Sequence, residues 1–227
     1  NLATGNETVV LGDQQTVDGN WSFFNNDTLD VSNSTTSAAN VTGVNGGLDL
    51  GGIDDVAFGS NSASLQLSTA QNNALDTATA AGSATIILDD ATAAAEALSG
   101  VGQYNLTTDG TTLDLGTNGA SAVDINNSAS GTETVVLGDG QSVTGDWTVG
   151  SGLDVLDVSA ATGSSANITG IADSIGEITE VDFGTNAAEL PLNVAQHNNL
   201  STATDAGSGI ITFNDKVDTF SGDSAGL

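Results

Sequence analysis

Residues 5–22, GNETVVLGDQQTVDGNWS, return at residues 131–148 as GTETVVLGDGQSVTGDWT. Twelve of the eighteen positions are identical, and they include Trp21 and Trp147. The similarity continues downstream in the same order, with LDVS at 29–32 matched by LDVS at 156–159. Because self-similarity at a fixed spacing is the signature of repeat architecture, the chain is predicted to consist of tandem modules.

The duplication also predicts where the modules lie. The first module is expected to span residues 1–130 and the second residues 131–227. Residues 91–130 have only a short counterpart, 216–227, so the second module is expected to be incomplete. The chain is therefore interpreted as a piece of a longer tandem array, and a true end at residue 227 is the alternative interpretation.

Short apolar segments separated by turn residues recur inside each module. They are rich in Val, Ile and Thr, as strands are, and Gly and Asn mark the turns between them. This pattern is typical of a sandwich, a barrel or a β-solenoid. In the second module the predicted strands lie within residues 134–139, 142–149, 154–159, 166–171, 177–184 and 189–194.

One segment in each module interrupts the strand pattern. Ser68 is followed three residues later by Gln71, and Asn193 by Gln196, which is the spacing of a helix capping box. A helix of about ten residues is expected after each cap. In the first module, the helix is expected to follow a strand that ends near Leu67, to end at Gly82, and to precede a strand that begins near Thr85. In the second module the corresponding residues are Leu192, Gly207 and Ile210.

Residues 91–99, ATAAAEALS, are predicted to form a second helix, capped by Asp90 and stopped by Gly100. A strand–helix–strand order favours parallel pairing through a crossover. The predicted fold is therefore mainly β: a parallel, right-handed β-solenoid of tandem modules with one or two short helices each.

The charge balance restricts the classes of partner. The chain carries 29 acids, 23 of them Asp, against Lys216 alone and no Arg, for a formal charge of −28. Nucleic-acid binding is excluded because it needs cationic side chains to neutralise phosphates. Anionic membrane surfaces are excluded on the same ground, and no apolar run is long enough for membrane insertion. Absent cysteine excludes disulfides and thiolate metal sites.

Aspartates bracket a leucine at the start of the LDVS segments, in NNDTLDVS at 25–32 and GLDVLDVS at 152–159. Carboxylate and backbone carbonyl oxygens are the ligands that Ca²⁺ prefers. Bound Ca²⁺ would also screen the repulsion among the acids. The alternative interpretation is a pair of aspartates facing water at a strand start. The predicted metal ligands are Asp27, Asp30, Asp154, Asp157, Asp13 and Asp139.

Residues 150–157, GSGLDVLD, resemble one copy of the calcium-binding nonapeptide of RTX proteins, with Gly150, Gly152, Asp154 and Leu156 in place. The wider order of segments is similar to modules of large bacterial surface proteins, including RTX-type adhesins and S-layer proteins. That resemblance implies a secreted, extracellular, calcium-dependent protein with a structural or adhesive role at the cell surface.

Catalytic signatures are weak. The single histidine, His197, corresponds to Asn72 in the first module, and it is predicted to be solvated on the second module's helix. No G-x-S-x-G elbow is present, so the protein is not expected to be an enzyme. Trp21 and Trp147 are interpreted as core residues rather than sugar-stacking platforms.

The protein is expected to be a structural or adhesive component of the cell surface that self-associates into a layer, a fibre or filament, or an adhesin stalk. Assembly on addition of Ca²⁺ tests this expectation. The alternative is a glycan- or ice-binding module, which would need an exposed Trp beside a groove or a regular threonine ladder. A β-helical polysaccharide-acting enzyme is a third hypothesis, and it would need an acidic cleft in one module only.

Overall fold

A computed structural model shows a mainly β chain, in which parallel sheets form a β-solenoid of about seven turns with two short helices. The predicted fold class is confirmed. The structure describes residues 5–21, 27–44, 53–59, 62–79, 84–116, 123–145, 147–148, 154–162, 165–171, 178–184, 188–200, 202–204 and 209–213.

The elements follow one another as short strands, with one helix in each half of the chain. They are β1 (Thr8–Gly12), β2 (Thr16–Gly19), β3 (Asp27–Asn33), β4 (Ala39–Val44), β5 (Ile53–Ala57), β6 (Ser64–Leu67), α1 (Thr69–Asn73), β7 (Thr77–Thr79), β8 (Thr85–Leu88), β9 (Ala94–Glu96), β10 (Gln103–Leu106), β11 (Thr112–Asp114), β12 (Asp124–Asn127), β13 (Thr134–Gly138), β14 (Ser142–Gly145), β15 (Trp147–Thr148), β16 (Asp154–Ala160), β17 (Asn167–Ile171), β18 (Ile178–Asp182), β19 (Glu189–Leu192), α2 (Val194–Asn199), β20 (Thr202–Thr204) and β21 (Ile210–Phe213).

The strands alternate between two stacks. One stack contains the sheets β1-β3-β5-β7 and β9-β11-β13-β16-β18-β20. The other contains the sheets β2-β4-β6-β8-β10-β12-β15, β14-β17 and β19-β21. Every strand pairing among the described residues is parallel. The turns of the solenoid differ in length. A short stretch of chain connects Thr85 to its partner Gln103, and a longer one connects Asp30 to its partner Ala57.

The core consists of side-chain columns that run through the stacked turns. In the seven-stranded sheet, Leu65, Ile86, Tyr104, Ile125 and Trp147 occupy one register position on successive strands, and each is at most 1% exposed. The polar atoms of the two aromatic side chains have backbone partners. The Tyr104 hydroxyl accepts a hydrogen bond from the backbone N–H of Leu98 at 2.8 Å, and Trp147 Nε1 donates one to the backbone carbonyl of Val123 at 3.2 Å. The prediction of a core tryptophan is confirmed at Trp147.

The sequence repeat is a structural repeat. The pairing β1-β3-β5-β7 of the first half recurs as β13-β16-β18-β20 in the second. Both stacks have a strand pairing across the junction, because β11 pairs with β13 and β12 with β15. In the second stack the sheet that crosses the junction ends at β15, and β14 pairs with β17 in a separate sheet. Tandem architecture is therefore confirmed, while the boundary between residues 130 and 131 stays a prediction.

Both predicted capping boxes are present. The Ser68 hydroxyl accepts the backbone N–H of Gln71 at 3.1 Å, and Asn193 Oδ1 accepts that of Gln196 at 2.7 Å. Each glutamine also donates from Nε2 to the preceding turn, to the carbonyl of Val41 at 2.8 Å or of Ile168 at 2.9 Å. These anchors fix where the helices sit on the solenoid.

The helices are shorter than predicted, because α1 has five residues and α2 has six. Short strands, β7 and β20, follow them where the helices were expected to continue. Parallel pairing with β5 and β18 satisfies the backbone there. Gly82 and Gly207, the predicted C-terminal glycines, lie outside the described residues.

The predicted helix over 91–99 is wrong, because β9 occupies residues Ala94–Glu96. Ala95 is fully buried, Glu96 is exposed and Ala97 is fully buried, which is the alternation of a strand. Pairing with β11 decides this outcome over the helix propensity of alanine. Asp90, the expected cap, instead accepts hydrogen bonds from the backbone N–H and the hydroxyl of Thr69, both at 2.7 Å.

Candidate functional site

The six aspartates predicted to bind metal are separated in the structure. Asp27 and Asp154 begin β3 and β16 and are 1% and 3% exposed, whereas Asp30 and Asp157 point to the outer side of the same strands. Residues three apart on a strand face opposite sides, so Asp27 and Asp30 do not converge on one ion. Among the described residues, no group of three or more His, Cys, Asp or Glu is arranged to hold a metal. The six ligands stay a prediction.

Asp13 and Asp139 occupy equivalent turns after β1 and β13, and both are exposed. Asp13 Oδ1 accepts the backbone N–H groups of Thr36 at 2.8 Å and Ser37 at 3.1 Å. The hydrogen bond from Thr36 is the main cause that lowers the pKa of Asp13 below its ordinary value. This carboxylate therefore has a structural role, which is to tie the turn after β1 to the turn after β3.

The outward aspartates have a local structural role. Asp30 Oδ1 accepts the backbone N–H of Ser32 at 2.9 Å, and Asp157 Oδ1 accepts that of Ser159 at 2.8 Å. The same bond, from the residue two positions later, is made by Asp114 and by Asp182 at 2.7 Å. This local hydrogen bond is thus a motif near the end of a strand, and it recurs on β3, β11, β16 and β18.

Register places some of these carboxylates opposite one another. Asp157 faces Asp182 on the adjacent strand, and Glu96 faces Asp114. Adjacent parallel strands lie about 4.8 Å apart, so like charges in register repel each other. A cation between two such carboxylates would relieve that repulsion. Sequence reasoning missed these pairs because the two members of each lie on successive turns, far apart along the chain.

A buried polar cluster of Asn127, Glu133 and Asp154 lies where the second copy of the repeat begins. The three side chains are between 2% and 4% exposed. Asn127 Nδ2 donates to Glu133 Oε2 at 2.6 Å and to Asp154 Oδ1 and Oδ2 at 3.2 and 3.1 Å. Glu133 Oε1 also accepts the backbone N–H of Gly110 at 3.2 Å. One amide therefore bridges two carboxyl groups removed from water.

Burial raises the pKa of Asp154 to about 6, although hydrogen bonds from Asn127 and from the Glu133 backbone oppose the shift. The nearby Glu133 carboxylate acts in the same direction as burial. Aliphatic side chains, among them Leu106 and Val135, line the small cavity around the cluster. This arrangement can hold a proton between two carboxyl groups or a small cation. Among the cluster's members, the sequence analysis identified only Asp154.

His197 is buried, 6% exposed, so the prediction that it is solvated is wrong. Its ring meets Phe213 edge-on, with centroids 5.2 Å apart and an interplanar angle of 62°. Phe213 belongs to β21, so His197 contacts this strand from α2. His197 therefore has a packing role in the second copy.

No family model matches the chain, and neither a curated protein nor a solved structure is similar to it at a significant level. Within the described residues, no helix is long and apolar enough to cross a membrane. The resemblance to RTX-type and S-layer modules therefore stays a prediction from sequence, and Gly150 and Gly152 of the nonapeptide lie outside the described residues.

Proposed function

We propose that the protein is a non-enzymatic structural or adhesive component of a cell surface, located outside the cell. In this proposal consecutive solenoid units stack into an elongated stalk, fibre or layer. The observation that carries the proposal is that strands of one copy pair with strands of the next where the copies meet, through the pairs β11–β13 and β12–β15. A solenoid whose sheets pass from unit to unit extends by repetition without a separate interface.

Calcium is proposed as the stabilising ion. A chain with 29 acids and one Lys repels itself, and screening by cations reduces that cost. The in-register carboxylates of Asp157 and Asp182 offer adjacent oxygen ligands on the outer surface. The carboxylate of Asp is a hard oxygen ligand. Ca²⁺ prefers such ligands to the nitrogen and sulfur donors that softer metals bind.

Thermal unfolding with Ca²⁺, with chelator, and with NaCl at matched ionic strength tests this function. Specific calcium binding raises the melting temperature well above the value in matched NaCl, because ligand binding to the folded state adds to its stability. Equal melting temperatures in the two salts would show that only screening acts and would remove Ca²⁺ from the proposal. Electron microscopy of the same samples reports assembly: regular filaments or sheets support the structural role, and dispersed particles at all Ca²⁺ concentrations contradict it.

Ice binding is less favoured by the described strands. A threonine ladder should repeat across many strands, but Thr8 and Thr28 meet Asp55 on the next strand, and Thr112 and Thr134 meet Val155. A glycan is the alternative partner, and retention of the protein on an insoluble polysaccharide tests it.

A further inference from the structure

Along one outward row of side chains, the part of one stack from β9 to β18 is more acidic than the other stack. On β4, β6, β8, β10, β12 and β15, one register position carries Asn40, Gln66, Ile87, Asn105, Asn126 and Thr148. We call this row the neutral column. In the opposite stack, the equivalent row from β9 to β18 contains Glu96, Asp114, Asp157 and Asp182, with Val136 between the two pairs. We call it the acidic column.

Local structure does not require this difference in charge. Asn40 Oδ1 accepts the backbone N–H of Thr42 at 2.9 Å, and Asn167 Oδ1 accepts that of Thr169 at 2.9 Å. Asp30 and Asp157 make the same bond to the residue two positions later in the other stack. A carboxylate would serve equally well at Asn40, so the hydrogen bond in the turn does not explain why this position is uncharged.

The row beside the neutral column is also nearly uncharged. It contains Ser64, Thr85 and Gln103, and its one acid is Asp124 on β12. Asp89, which follows β8, accepts a hydrogen bond from Gln66 Nε2 at 3.0 Å. In a chain with a formal charge of −28, these two rows contain one acid, Asp124, so an equally acidic body that approaches them meets little repulsion from the rows themselves.

We infer that the neutral column is the lateral contact between two copies of this chain. Contact through the acidic columns would bring carboxylates together at about 1 kcal/mol of repulsion per pair at 4 Å in water, and more where water is excluded. Amide side chains stacked in register can instead hydrogen-bond and interdigitate with the same row of a second copy. The pairing also holds the two acidic columns on opposite outer sides.

The size of the surface determines the strength of the contact. Six strands at about 4.8 Å spacing and four residues at about 3.3 Å rise give a patch of about 400 Å² on each copy. A stable specific interface needs about 800 Å² on each partner. One pair of chains therefore associates weakly, and copies in tandem add their contacts through effective concentration. The inference rests on the proposed structural role, since it names the surface by which solenoids assemble side by side.

Sedimentation velocity over a wide range of protein concentration tests this contact with two matched double variants. Asn40→Asp with Asn105→Asp adds two charges to the neutral column. Ala57→Asp with Thr112→Asp adds two charges to the opposite stack, and Asp182 already stands at the position equivalent to Ala57. Equal melting temperatures of the two variants establish that both fold.

The wild-type chain is expected to associate as its concentration rises, and more strongly at higher NaCl, because salt screens the net charge. The neutral-column variant should associate at least tenfold more weakly, while the other variant behaves as wild type. Equal weakening of both variants, or none in the neutral-column variant, would overturn the inference. So would a wild-type chain that stays monomeric throughout while calcium still drives filament formation, an outcome that leaves the proposed function standing.

Retention of the protein on insoluble cellulose or chitin tests whether the neutral column binds a glycan instead of a second copy of the chain. If the wild type is retained, the neutral-column variant is not, and neither self-associates, then the column binds an uncharged glycan and the copy-to-copy contact is wrong. If the wild type is not retained but associates as its concentration rises, the copy-to-copy contact is supported.

Discussion

The two copies of the repeat begin with the same residues in different surroundings. Glu7 and Asp27 of the first copy correspond to Glu133 and Asp154 of the second, and in each the backbone N–H of the glutamate donates to Oδ1 of the aspartate, at 2.9 and 3.3 Å. Glu7 is half-buried, whereas Glu133 is 2% exposed because the turn that carries Gly110 stacks against it. The aspartate is thus buried in both copies, whereas the glutamate keeps contact with water in the first copy and is buried in the second, so position in the array decides its exposure.

The largest effect is expected from Asn127→Leu. Leucine continues the buried column Leu67, Leu88 and Leu106, but it removes the amide that donates to both buried carboxyl groups. Breaking such a cluster costs about 3 kcal/mol. Amide hydrogen exchange should show weaker protection in β13 and β16, with little change in β1 and β3.

The matched control compares Glu133→Gln with Glu7→Gln, the equivalent change in the first copy. The cost at Glu7 should be smaller, because Glu7 is half-buried and keeps contact with water, whereas Glu133 is 2% exposed. Equal losses of stability at the two positions would show that the difference in burial does not make the two copies differ in stability. Replacing Asn127, Glu133 and Asp154 together by leucine should recover much of the loss, because well-packed apolar groups substitute for buried polar clusters.

A smaller effect is expected from pH. The pKa of Asp154 is raised to about 6 from an ordinary value of 3.8, so its contribution to stability is fully present below about pH 4. That contribution is lost as the pH rises through 6, where the folded protein must release the proton. The melting temperature of the wild type, measured in chelator at constant ionic strength, should fall by several degrees more between pH 5 and 7 than that of Asp154→Asn.

Asp27→Asn, the equivalent change in the first copy, is the control for the loss of one acid. A pH response that persists unchanged in Asp154→Asn would assign it to the general repulsion among the acids rather than to the buried cluster.

The smallest effect is expected from exchanging residues between the helices. Asn72 Nδ2 donates to the carbonyl of Glu96 at 2.7 Å and so holds β9, whereas His197 at the equivalent position packs on Phe213. Asn72→His should cost about 1 kcal/mol through the lost hydrogen bond and lower exchange protection in β9. His197→Asn should cost less, about 0.5 kcal/mol, through the lost ring contact. Equal protection of β9 in the wild type and in Asn72→His would show that Asn72 does not hold this strand.

Much of the fold could be predicted because its signals are local or repeated. The matched segments gave the tandem order, and the spacing of Ser68 and Gln71 gave the start of α1, since a capping box is made within one helical turn. The helix predicted over 91–99 failed because alanine-rich sequence favours a helix locally, while the pairing with β11 comes from a turn later in the chain.

The candidate site was predicted less completely than the fold. Asp154 was identified from its neighbours in sequence, but Asn127 and Glu133 become its partners only when successive turns stack. Asp157 and Asp182 likewise become a pair only through the register of β16 against β18. No local pattern encodes such contacts, because loop lengths set which residues meet.

The sequence by itself determined the acidity, the repeat, the strand segments and the caps, because composition and short-range hydrogen bonding act between near neighbours in the chain. Only the tertiary structure decided which aspartates face inward, which face each other and which surface of the solenoid stays uncharged. Those properties follow from the stacking of successive turns of unequal length, where the burial of apolar columns fixes the register.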